Sequence, residues 1–261
     1  MKRIVIMGAT SGIGLHLAEA LAATGWIVGV AGRKRLKLDE LTSKFPAFIK
    51  SEEIDVTHDD APAKLLSLIE KIGGMDIYFH SAGIGYENPE LNPTQEIATV
   101  LTNAVGFTRM IDTAFSYFRN HNIKGQIAAI TSVAGTKGIG QLASYSATKK
   151  FQQTYLQALE QLSRKQHLGI SFTDIRPGWI RTPLLDTSRE YPMTMRLTEV
   201  VPLVIRAVKN KTRIAVIDWR WAVAVFFWQL IPGCLWVRIP INVSKKATHS
   251  ELLRNIVAET N

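Results

Sequence analysis

A tyrosine and a lysine four positions apart are the residues with the clearest capacity for chemistry. Tyr145 and Lys149 belong to the segment Tyr-Ser-Ala-Thr-Lys, and in a helix this spacing places both side chains on one face. Their ordinary pKa values are about 10 and about 10.4, and a neighbouring cation favours the phenolate. The pair could exchange a proton with a substrate near neutral pH. Taken alone, it is also typical of an exposed helix.

Three glycines near the N-terminus predict a phosphate-binding turn. Gly8, Gly12 and Gly14 lie between an apolar run, Arg3–Met7, and a helix predicted over Ile13–Ala23. Glycine permits a tight turn and a close approach of the backbone to a pyrophosphate, whose charge is favoured at a helix N-terminus. We expect a dinucleotide here; the alternative is an ordinary glycine-rich turn.

The residues after the second apolar run indicate which dinucleotide is preferred. A fold that uses NAD usually has Asp or Glu here for the ribose 2′-hydroxyl, whereas this chain reads Ala31-Gly32-Arg33-Lys34. The Arg33 guanidinium can hold a 2′-phosphate through charge-assisted hydrogen bonds. NADP(H) is therefore predicted over NAD(H). The alternative is that residues 33–35 form a solvated loop.

Strand-length apolar runs alternate with longer helical patterns, which predicts βαβ units and a parallel sheet. We see no repeat and no linker, so we predict a single α/β domain over residues 1–261. Its expected architecture is a Rossmann-type, doubly wound parallel sheet of about seven strands with helices on both faces. The predicted strands are Arg3–Met7, Ile27–Ala31, Ile49–Ile54, Ile77–His80, Gln126–Thr131, Ser171–Ile175 and Ile214–Asp218. The predicted helices are Ile13–Ala23, Ala61–Ile72, Thr94–Phe118 and Tyr145–Ser163.

Composition excludes several other classes of protein. The 261 residues carry a formal net charge of +9, but the basic residues lack the interleaved aromatics of a base-stacking surface, so no nucleic acid is expected. Cys234 is the single cysteine, which excludes an internal disulfide. The six histidines lack metal-ligand spacing, and we predict no metal. Without a recognisable export signal, the expected location is cytoplasmic or peripheral at a membrane.

The spacing Gly-x-x-x-Gly-x-Gly, together with Tyr-x-x-x-Lys, resembles the short-chain dehydrogenase/reductase (SDR) family, with matches across residues 2–218. Ser132 precedes Tyr145 by the family's thirteen residues, and Asn103-Ala-Val-Gly resembles its helix-borne Asn-x-x-Gly. The resemblance implies that Tyr145 protonates the substrate oxygen and Ser132 orients the carbonyl. It also implies that Lys149 binds the nicotinamide ribose and lowers the Tyr145 pKa, and that Asn103 holds a water in the proton relay. Ser132 and Tyr145 would then contact substrate.

The same resemblance implies cofactor-binding residues along the chain. Asp55-Val56 resembles the family's adenine-contacting pair, and Arg176–Pro183 resembles its Pro-Gly-x-x-x-Thr segment, in which Ile180 and Thr182 would hold the carboxamide. Two positions depart from the family: His80-Ser81 stands for two asparagines, and Met7 for a threonine that ties adjacent strand ends. The implied cofactor-binding residues are Gly8, Thr10, Ser11, Gly12, Ile13, Gly14, Arg33, Asp55, Val56, Ser81, Ala82, Gly83, Tyr145, Lys149, Pro177, Ile180 and Thr182.

The last part of the chain departs from the shared pattern. Residues 219–261 form an apolar extension in which four of the six tryptophans lie within residues 219–236. The apolar run is shorter than the roughly 20 residues of a membrane span. It could be buried core or a subunit surface, a monotopic membrane contact, or a wall of the substrate site. Residues 184–200 are predicted to be a lid over the substrate.

These features predict an NADP(H)-dependent oxidoreductase that interconverts a carbonyl and an alcohol on an apolar small molecule. The resemblance implies a homodimer or homotetramer. Two other functions remain open: a catalytically silent NADP(H)-sensing binding protein, and a membrane-associated partner in lipid or envelope metabolism.

Overall fold

Seven parallel strands form the central sheet, which confirms the predicted Rossmann-type α/β fold. The structure is a computed structural model that describes residues 1–186 and 188–246, so residues 247–261 of the predicted extension lie outside the described residues. The strands are β1 (Arg3–Met7), β2 (Ile27–Gly32), β3 (Ile49–Glu53), β4 (Ile77–His80), β5 (Gln126–Ile130), β6 (Ser171–Pro177), β7 (Arg189–Glu190), β8 (Ile214–Ile217) and β9 (Lys245–Lys246). The α-helices are α1 (Gly12–Ala22), α2 (Arg35–Lys44), α3 (Ala61–Lys71), α4 (Pro93–Val100), α5 (Phe107–Asn120), α6 (Ala143–Lys165), α7 (Leu197–Lys209), α8 (Trp219–Leu230) and α9 (Gly233–Trp236).

Both faces of the sheet are buried, as the apolar strands of a parallel sheet require. Successive side chains alternate in a strand, so in β1 Ile4 and Ile6 point to one face, and Val5 and Met7 to the other. Residues of α1, α2 and α7 cover the first face, and residues of α3, α5 and α6 cover the second. Each full burial of such a side chain stabilises the fold by about 1.5–3 kcal/mol.

The order of the strands determines where a ligand can bind. The order is β3-β2-β1-β4-β5-β6-β8, so the chain builds one side of the sheet from β1 and then crosses to the other side at β4. Met7 at the end of β1 pairs with Ala31 of β2 and with His80 of β4. Ligands of such sheets bind beyond the carboxyl ends at this switch point. The segments after Met7 and His80 therefore meet at one site.

Helices α2, α7, α8 and α9 were not among the helices predicted from the sequence. In α2 only Leu38 and Leu41 are buried, so its apolar periodicity is weak. Helix α7 contains Pro202, a residue that usually ends or kinks a helix. Because α7 begins at Leu197, the last residues of the predicted lid over 184–200 are helical.

The helix predicted over Thr94–Phe118 contains an irregular turn. Helix α4 continues into α5 through a π-helical turn, Leu101–Gly106. Single π-turns often occur at functional sites, and this turn carries Asn103.

The C-terminal part packs one side of an apolar helix against the domain. Trp221 and Trp228 of α8 and Trp236 of α9 form a chain of edge contacts, with ring centroids 5.9 and 5.7 Å apart. The Nε1 of Trp236 donates a hydrogen bond of 2.7 Å to the carbonyl of Gly138. Three tryptophans thus fix α8 and α9 against the loop that precedes α6.

Candidate active site

The turn between β1 and α1 brings the three glycines to the carboxyl end of the sheet. Gly8 has a φ of 91°, and a Cβ there would lie 2.5 Å from the nitrogen of Ala82. A Cβ on Gly14 would lie 2.2 Å from the carbonyl oxygen of Gly8. Both positions therefore require glycine. Helix α1 begins at Gly12, and the first N–H groups of a helix have no partner within that helix, so they can receive a phosphate.

Arg33 and Asp55 face each other beside this turn. Arg33 Nη1 lies 4.0 Å from Asp55 Oδ2, and the Arg33 side chain is 64% exposed. Asp55 Oδ1 accepts hydrogen bonds from the N–H and the hydroxyl of Thr57 at 2.9 and 2.7 Å. Burial raises the pKa of Asp55, but the Thr57 hydrogen bonds and Arg33 outweigh it and hold that pKa below its ordinary value. Arg33 thus stands beside an ionised carboxylate and still offers its guanidinium to an anion.

Tyr145 and Lys149 lie together on α6, as their spacing predicts. Lys149 Nζ is 5.6 Å from the centre of the Tyr145 ring. Lys149 is 4% exposed, and this burial lowers its pKa to about 8 against an opposing effect of Asp174. Burial raises the pKa of Tyr145, and the Ser132 hydroxyl offsets part of that rise. Desolvation of the phenol therefore sets the net direction of the Tyr145 pKa, and the lowering of that pKa by Lys149 stays a prediction.

Ser132 follows β5 and is buried. Its hydroxyl oxygen accepts a hydrogen bond from the N–H of Ala134 at 3.1 Å and donates to the carbonyl of Pro177 at 3.4 Å. Its own carbonyl accepts a hydrogen bond of 2.7 Å from Gln153 Nε2. The serine is thus held through both its side chain and its backbone.

Asn103 is fully buried in the π-helical turn. Its Oδ1 accepts from the N–H of Ile84 at 2.9 Å, and its Nδ2 donates to the carbonyl of Ile84 at 2.7 Å. Its backbone carbonyl accepts from Gln152 Nε2 at 2.8 Å. Asn103 thus binds the segment after β4 through its side chain and Gln152 through its carbonyl, and its role in holding a relay water stays a prediction.

The segment after β4 departs from the family pattern but keeps a backbone tie. The Ser81 N–H donates to the Met7 carbonyl at 2.8 Å, so the strand ends stay joined although Met7 replaces a threonine. His80 is fully buried, with Nδ1 2.9 Å from the hydroxyl of Tyr78. Burial, together with Lys149, lowers the pKa of His80 to about 3. A neutral imidazole thus stands where the family has asparagine.

A cleft of about 560 Å³ joins the glycine turn to Tyr145 and Lys149. This volume lies within the roughly 300–1,000 Å³ of ligand sites. Gly14, Asn103 and Ser132 are not among the residues that line it. The predicted site residues that do line it are Gly8, Thr10, Ser11, Gly12, Ile13, Arg33, Asp55, Val56, Ser81, Ala82, Gly83, Tyr145, Lys149, Pro177, Ile180 and Thr182.

The residues of this cleft fit a nicotinamide dinucleotide. The glycine turn offers helix N–H groups in a space that a Cβ on Gly14 would disrupt. Arg33 supplies a cation on one side of the turn. On another side lies Thr182, whose Cγ2 would be 3.4 Å from a Cβ on Gly12. The phosphate, ribose and carboxamide groups of such a cofactor could each find hydrogen-bond donors or acceptors in this cleft.

Aromatic side chains surround the other end of the cleft. Trp179 and Tyr191 line it, with ring centroids 4.6 Å apart. Trp221 packs so closely on Gly178 that a Cβ there would lie 2.1 Å from its Nε1. The same Nε1 donates to the carbonyl of Met193 at 3.4 Å. Helix α8 therefore supports the cleft wall from outside.

Two consecutive glutamines of α6 were missed by the sequence analysis. Gln152 and Gln153 are both buried, and each donates to the backbone carbonyl of a predicted catalytic residue, Asn103 and Ser132 respectively. The available signal was a pair of amides in a helix that was predicted to pack on a sheet. Such positions usually carry apolar residues.

Within residues 1–186 and 188–246, no group of three or more His, Cys, Asp or Glu side chains could hold a metal ion. Over the same residues, no helix combines the length and the apolar character needed to cross a membrane.

Comparisons with known proteins give a consistent result. A family model described as short chain dehydrogenase matches residues 2–192. An uncharacterised oxidoreductase of Mycobacterium tuberculosis is 31% identical over 243 residues, covering 88% of this chain and 94% of that protein. A farnesol dehydrogenase of Aedes aegypti is 28% identical over 197 residues, covering 72% of this chain and 80% of that protein.

Solved structures show the same fold at lower sequence identity. ElxO with NADP bound has a TM-score of 0.73 at 19% identity, covering 85% of this chain and 99% of that chain. A 3-ketoacyl-(acyl-carrier-protein) reductase from Brucella melitensis, complexed with NADH, also has a TM-score of 0.73, at 20% identity, covering 83% of this chain and 96% of that chain.

Proposed function

The chain belongs to the short chain dehydrogenase family of oxidoreductases, and we propose that it interconverts a carbonyl and an alcohol on an apolar substrate with NADP(H). The observation that carries this proposal is that a single cleft is lined by the glycine turn and by the Tyr145–Lys149 pair. A dinucleotide and a carbonyl compound can therefore share one cleft.

In this proposal the chain's own residues handle the proton, while the bound cofactor supplies or accepts the hydride. Tyr145 donates its phenolic proton to the carbonyl oxygen during reduction. Tyrosine is ordinarily protonated at neutral pH, and burial raises the pKa of Tyr145 further, so release of its proton depends on a cation beside the phenolate. The Lys149 ammonium stabilises the phenolate that remains, and the Ser132 hydroxyl orients the carbonyl. In the oxidative direction Tyr145 takes the proton back.

Arg33 supports NADP(H) over NAD(H). The solved relatives were bound to NADP or NADH, so the choice depends on residues of this chain. The exposed Arg33 side chain lines the cleft at the end of β2, where a carboxylate would repel a 2′-phosphate. Asp55 is close enough to orient the guanidinium without enclosing it.

The substrate end of the cleft supports an apolar compound. Trp179 and Tyr191 present aromatic surface there, and one relative is named a farnesol dehydrogenase. We propose residues 184–200 as a lid over this end. Within that range β7 pairs with β9 of the C-terminal part, and Arg189 Nη1 lies 2.6 Å from Glu87 Oε2.

Fluorescence titration of the protein with NADPH and NADH, followed by a screen of apolar ketones for NADPH oxidation, tests the proposal. We expect tighter binding of NADPH and turnover of bulky ketones. Tight binding without turnover of any ketone would favour the silent sensor instead. Failure to bind either dinucleotide would contradict the assignment of the cleft.

We also propose that the enzyme binds an anionic membrane surface through the outer face of α8. This helix is apolar on both sides, and such a helix needs a partner for its second side. Its outer side is exposed, with Trp219 at 75% exposure. The exposed apolar residues of α8 are Trp219, Val223, Phe226, Phe227 and Leu230, and Leu235, Val237 and Ile239 follow in and after α9.

Charge around this face favours lipid over a second copy of the chain. Residues 218–246 contain four Lys or Arg residues and one acidic residue, Asp218, which pairs with Arg220. A two-fold contact of this surface with itself would bring the same cations together, whereas anionic headgroups complement them. Tryptophan and phenylalanine beside basic residues also suit the headgroup boundary.

Co-sedimentation with vesicles tests this membrane contact. We expect the full chain to sediment with vesicles of phosphatidylglycerol and phosphatidylcholine, and far less with phosphatidylcholine alone. Combining Phe226→Gln with Phe227→Gln should lower the bound fraction about tenfold or more, without changing turnover of a water-soluble ketone. Leu66→Gln removes an exposed apolar residue of α3 and serves as the control. Equal sedimentation of wild type and double variant would contradict the contact.

A separate apolar surface supports a homodimer or homotetramer. It lies on α4, the π-helical turn and α6. Its exposed residues are Ile97, Val100, Leu101, Val105 and Phe151. Analytical ultracentrifugation should show an oligomer that Ile97→Glu dissociates. A monomeric wild type would contradict this assignment.

A further inference from the structure

Gln152 is a fully buried amide next to the predicted catalytic residues. Its Oε1 accepts a hydrogen bond of 3.1 Å from Lys149 Nζ, and its Nε2 donates one of 2.8 Å to the carbonyl of Asn103. A buried amide without hydrogen-bond partners destabilises a fold. Both ends of this amide are bonded, and together they join two members of the predicted tetrad.

The Lys149 ammonium has three donors, and Gln152 helps to direct them. One donor is bonded to the carbonyl of Ile130 at 3.0 Å and another to Gln152. Two fixed acceptors on the protein side leave the third donor for the side of the cleft, which Lys149 lines. The position of Gln152 therefore bears on how Lys149 meets Tyr145 and a bound ribose.

A side-chain amide and a water molecule differ in their ability to transfer a proton. A water between Lys149 and Asn103 could make the same two hydrogen bonds and could also transfer a proton by exchanging its hydrogens. The amide has a fixed donor end and a fixed acceptor end, and its N–H is not an acid at neutral pH. It can hold the two groups but cannot relay a proton between them.

We propose that Gln152 is a positioning residue that occupies the place of a water between Lys149 and the carbonyl of Asn103 and holds Lys149 toward Tyr145. This inference rests on the proposed reductase function for its kinetic consequence and on the geometry of the buried amide for its structural one.

Gln153 provides a matched comparison within the same helix. It is also buried and also donates to a tetrad carbonyl, that of Ser132. The hydrogen bonds of Lys149 run to Ile130 and Gln152. A variant of Gln153 therefore disturbs the backbone of the site without removing an acceptor from the ammonium.

The kinetic test compares Gln152→Ala with Gln152→Leu in NADPH oxidation. Alanine leaves a polar space that a water can fill between Lys149 and Asn103, so we expect kcat within about threefold of wild type. Leucine fills the space and leaves a buried cation and a carbonyl short of a partner, so we expect kcat to fall about 10- to 100-fold with little change in KM. A purely packing role gives the opposite order, with leucine milder than alanine, and that order would overturn the proposal.

A titration without substrate or cofactor provides an independent test. We expect the Lys149 side-chain NMR signal, assigned with Lys149→Arg, to titrate about one pH unit lower in Gln152→Leu than in wild type, because an acceptor for the charged form is lost. Gln153→Leu should leave that titration unchanged. If the wild type turns over no ketone, the proposed function fails, yet this titration still tests the position of Gln152. Equal titrations in wild type and Gln152→Leu would overturn the inference.

Discussion

The nucleotide end and the substrate end of the cleft are built by different means. At the nucleotide end the backbone sets the geometry: Gly8 and Gly14 lie so close to other backbone atoms that no side chain fits. At the substrate end, side chains from separate segments meet, with Trp179 after β6, Tyr191 in the proposed lid and Trp221 in α8. The family model ends at residue 192, so Trp221 lies beyond it.

This difference shows which parts of the chain can vary with the substrate. A pyrophosphate has the same shape in every dinucleotide, so helix N–H groups in a fixed turn are sufficient to bind it. An apolar substrate is matched by the size and position of large side chains. The tryptophan-rich C-terminal part supports the wall of this end from outside, where Trp221 packs on Gly178 and donates to the carbonyl of Met193.

The largest expected effect is a fall in kcat without a change in cofactor affinity, on substitution of Tyr145 between the two ends of the cleft. Tyr145→Phe removes the acid and should lower kcat for ketone reduction by about 10³-fold, within the range of general acid catalysis. The Kd for NADPH, measured by fluorescence, should stay within about twofold because the glycine turn is untouched. Normal turnover by this variant would exclude Tyr145 as the acid.

A substitution in the glycine turn at the nucleotide end should weaken cofactor binding. The Cβ of Gly14→Ala would lie 2.2 Å from the Gly8 carbonyl oxygen, so the turn must move and the Kd for NADPH should rise about 100-fold. Gly138→Ala, where a Cβ meets open space, should leave the Kd unchanged. Equal affinities of the two variants would show that the tight turn does not determine binding.

A smaller effect at the same end should distinguish the two dinucleotides. Arg33→Ala removes a charge-assisted contact to the 2′-phosphate and should raise KM for NADPH about 10- to 50-fold. KM for NADH should change by less than about twofold, since it has no 2′-phosphate. An unchanged ratio of the two KM values would remove the basis for NADP(H) preference.

The smallest effect concerns the buried ammonium and the pH dependence of stability. The Lys149 pKa is lowered by burial from 10.5 to about 8, so the folded state releases this proton before the unfolded state does. Below pH 8 the full cost of burying the charge is present, and stability rises as pH increases toward 10.5. The free energy of unfolding should gain about 1 kcal/mol from this group between pH 8 and pH 9.

Urea unfolding at both pH values measures that gain. Lys149→Met should lack it, whereas Lys150→Met, at the exposed neighbour, should keep it. The same pH dependence in all three proteins would contradict the burial of the Lys149 charge.

The sequence was most informative where a local pattern of residue types is sufficient to determine the local structure. Gly8, Gly12 and Gly14 predicted the turn, and the apolar runs predicted all seven strands of the sheet. Tyr145 and Lys149 share a helix face because 3.6 residues make a turn. These features are local, so the sequence alone expresses them.

Other features depend on contacts between distant segments. From the sequence alone, Gln152 would be assigned to the surface of a helix. It is buried because α6 packs against the π-helical turn that carries Asn103. The raised pKa of Tyr145 follows from burial, which spacing alone does not give. Helix α2 buries only Leu38 and Leu41, too few for a periodic pattern. The two faces of α8 become distinct only when Trp221 is seen to pack inward.

Transfer of a labelled hydride tests the central claim most directly. Wild-type protein is incubated with NADPH that carries deuterium at the transferable position of the nicotinamide, together with a bulky apolar ketone, and the alcohol is analysed by mass spectrometry. We expect one deuterium on the carbinol carbon, and about 10³-fold slower formation of the labelled alcohol when Tyr145→Phe replaces the wild type. Tight NADPH binding with no deuterium in any alcohol would contradict the reductase account.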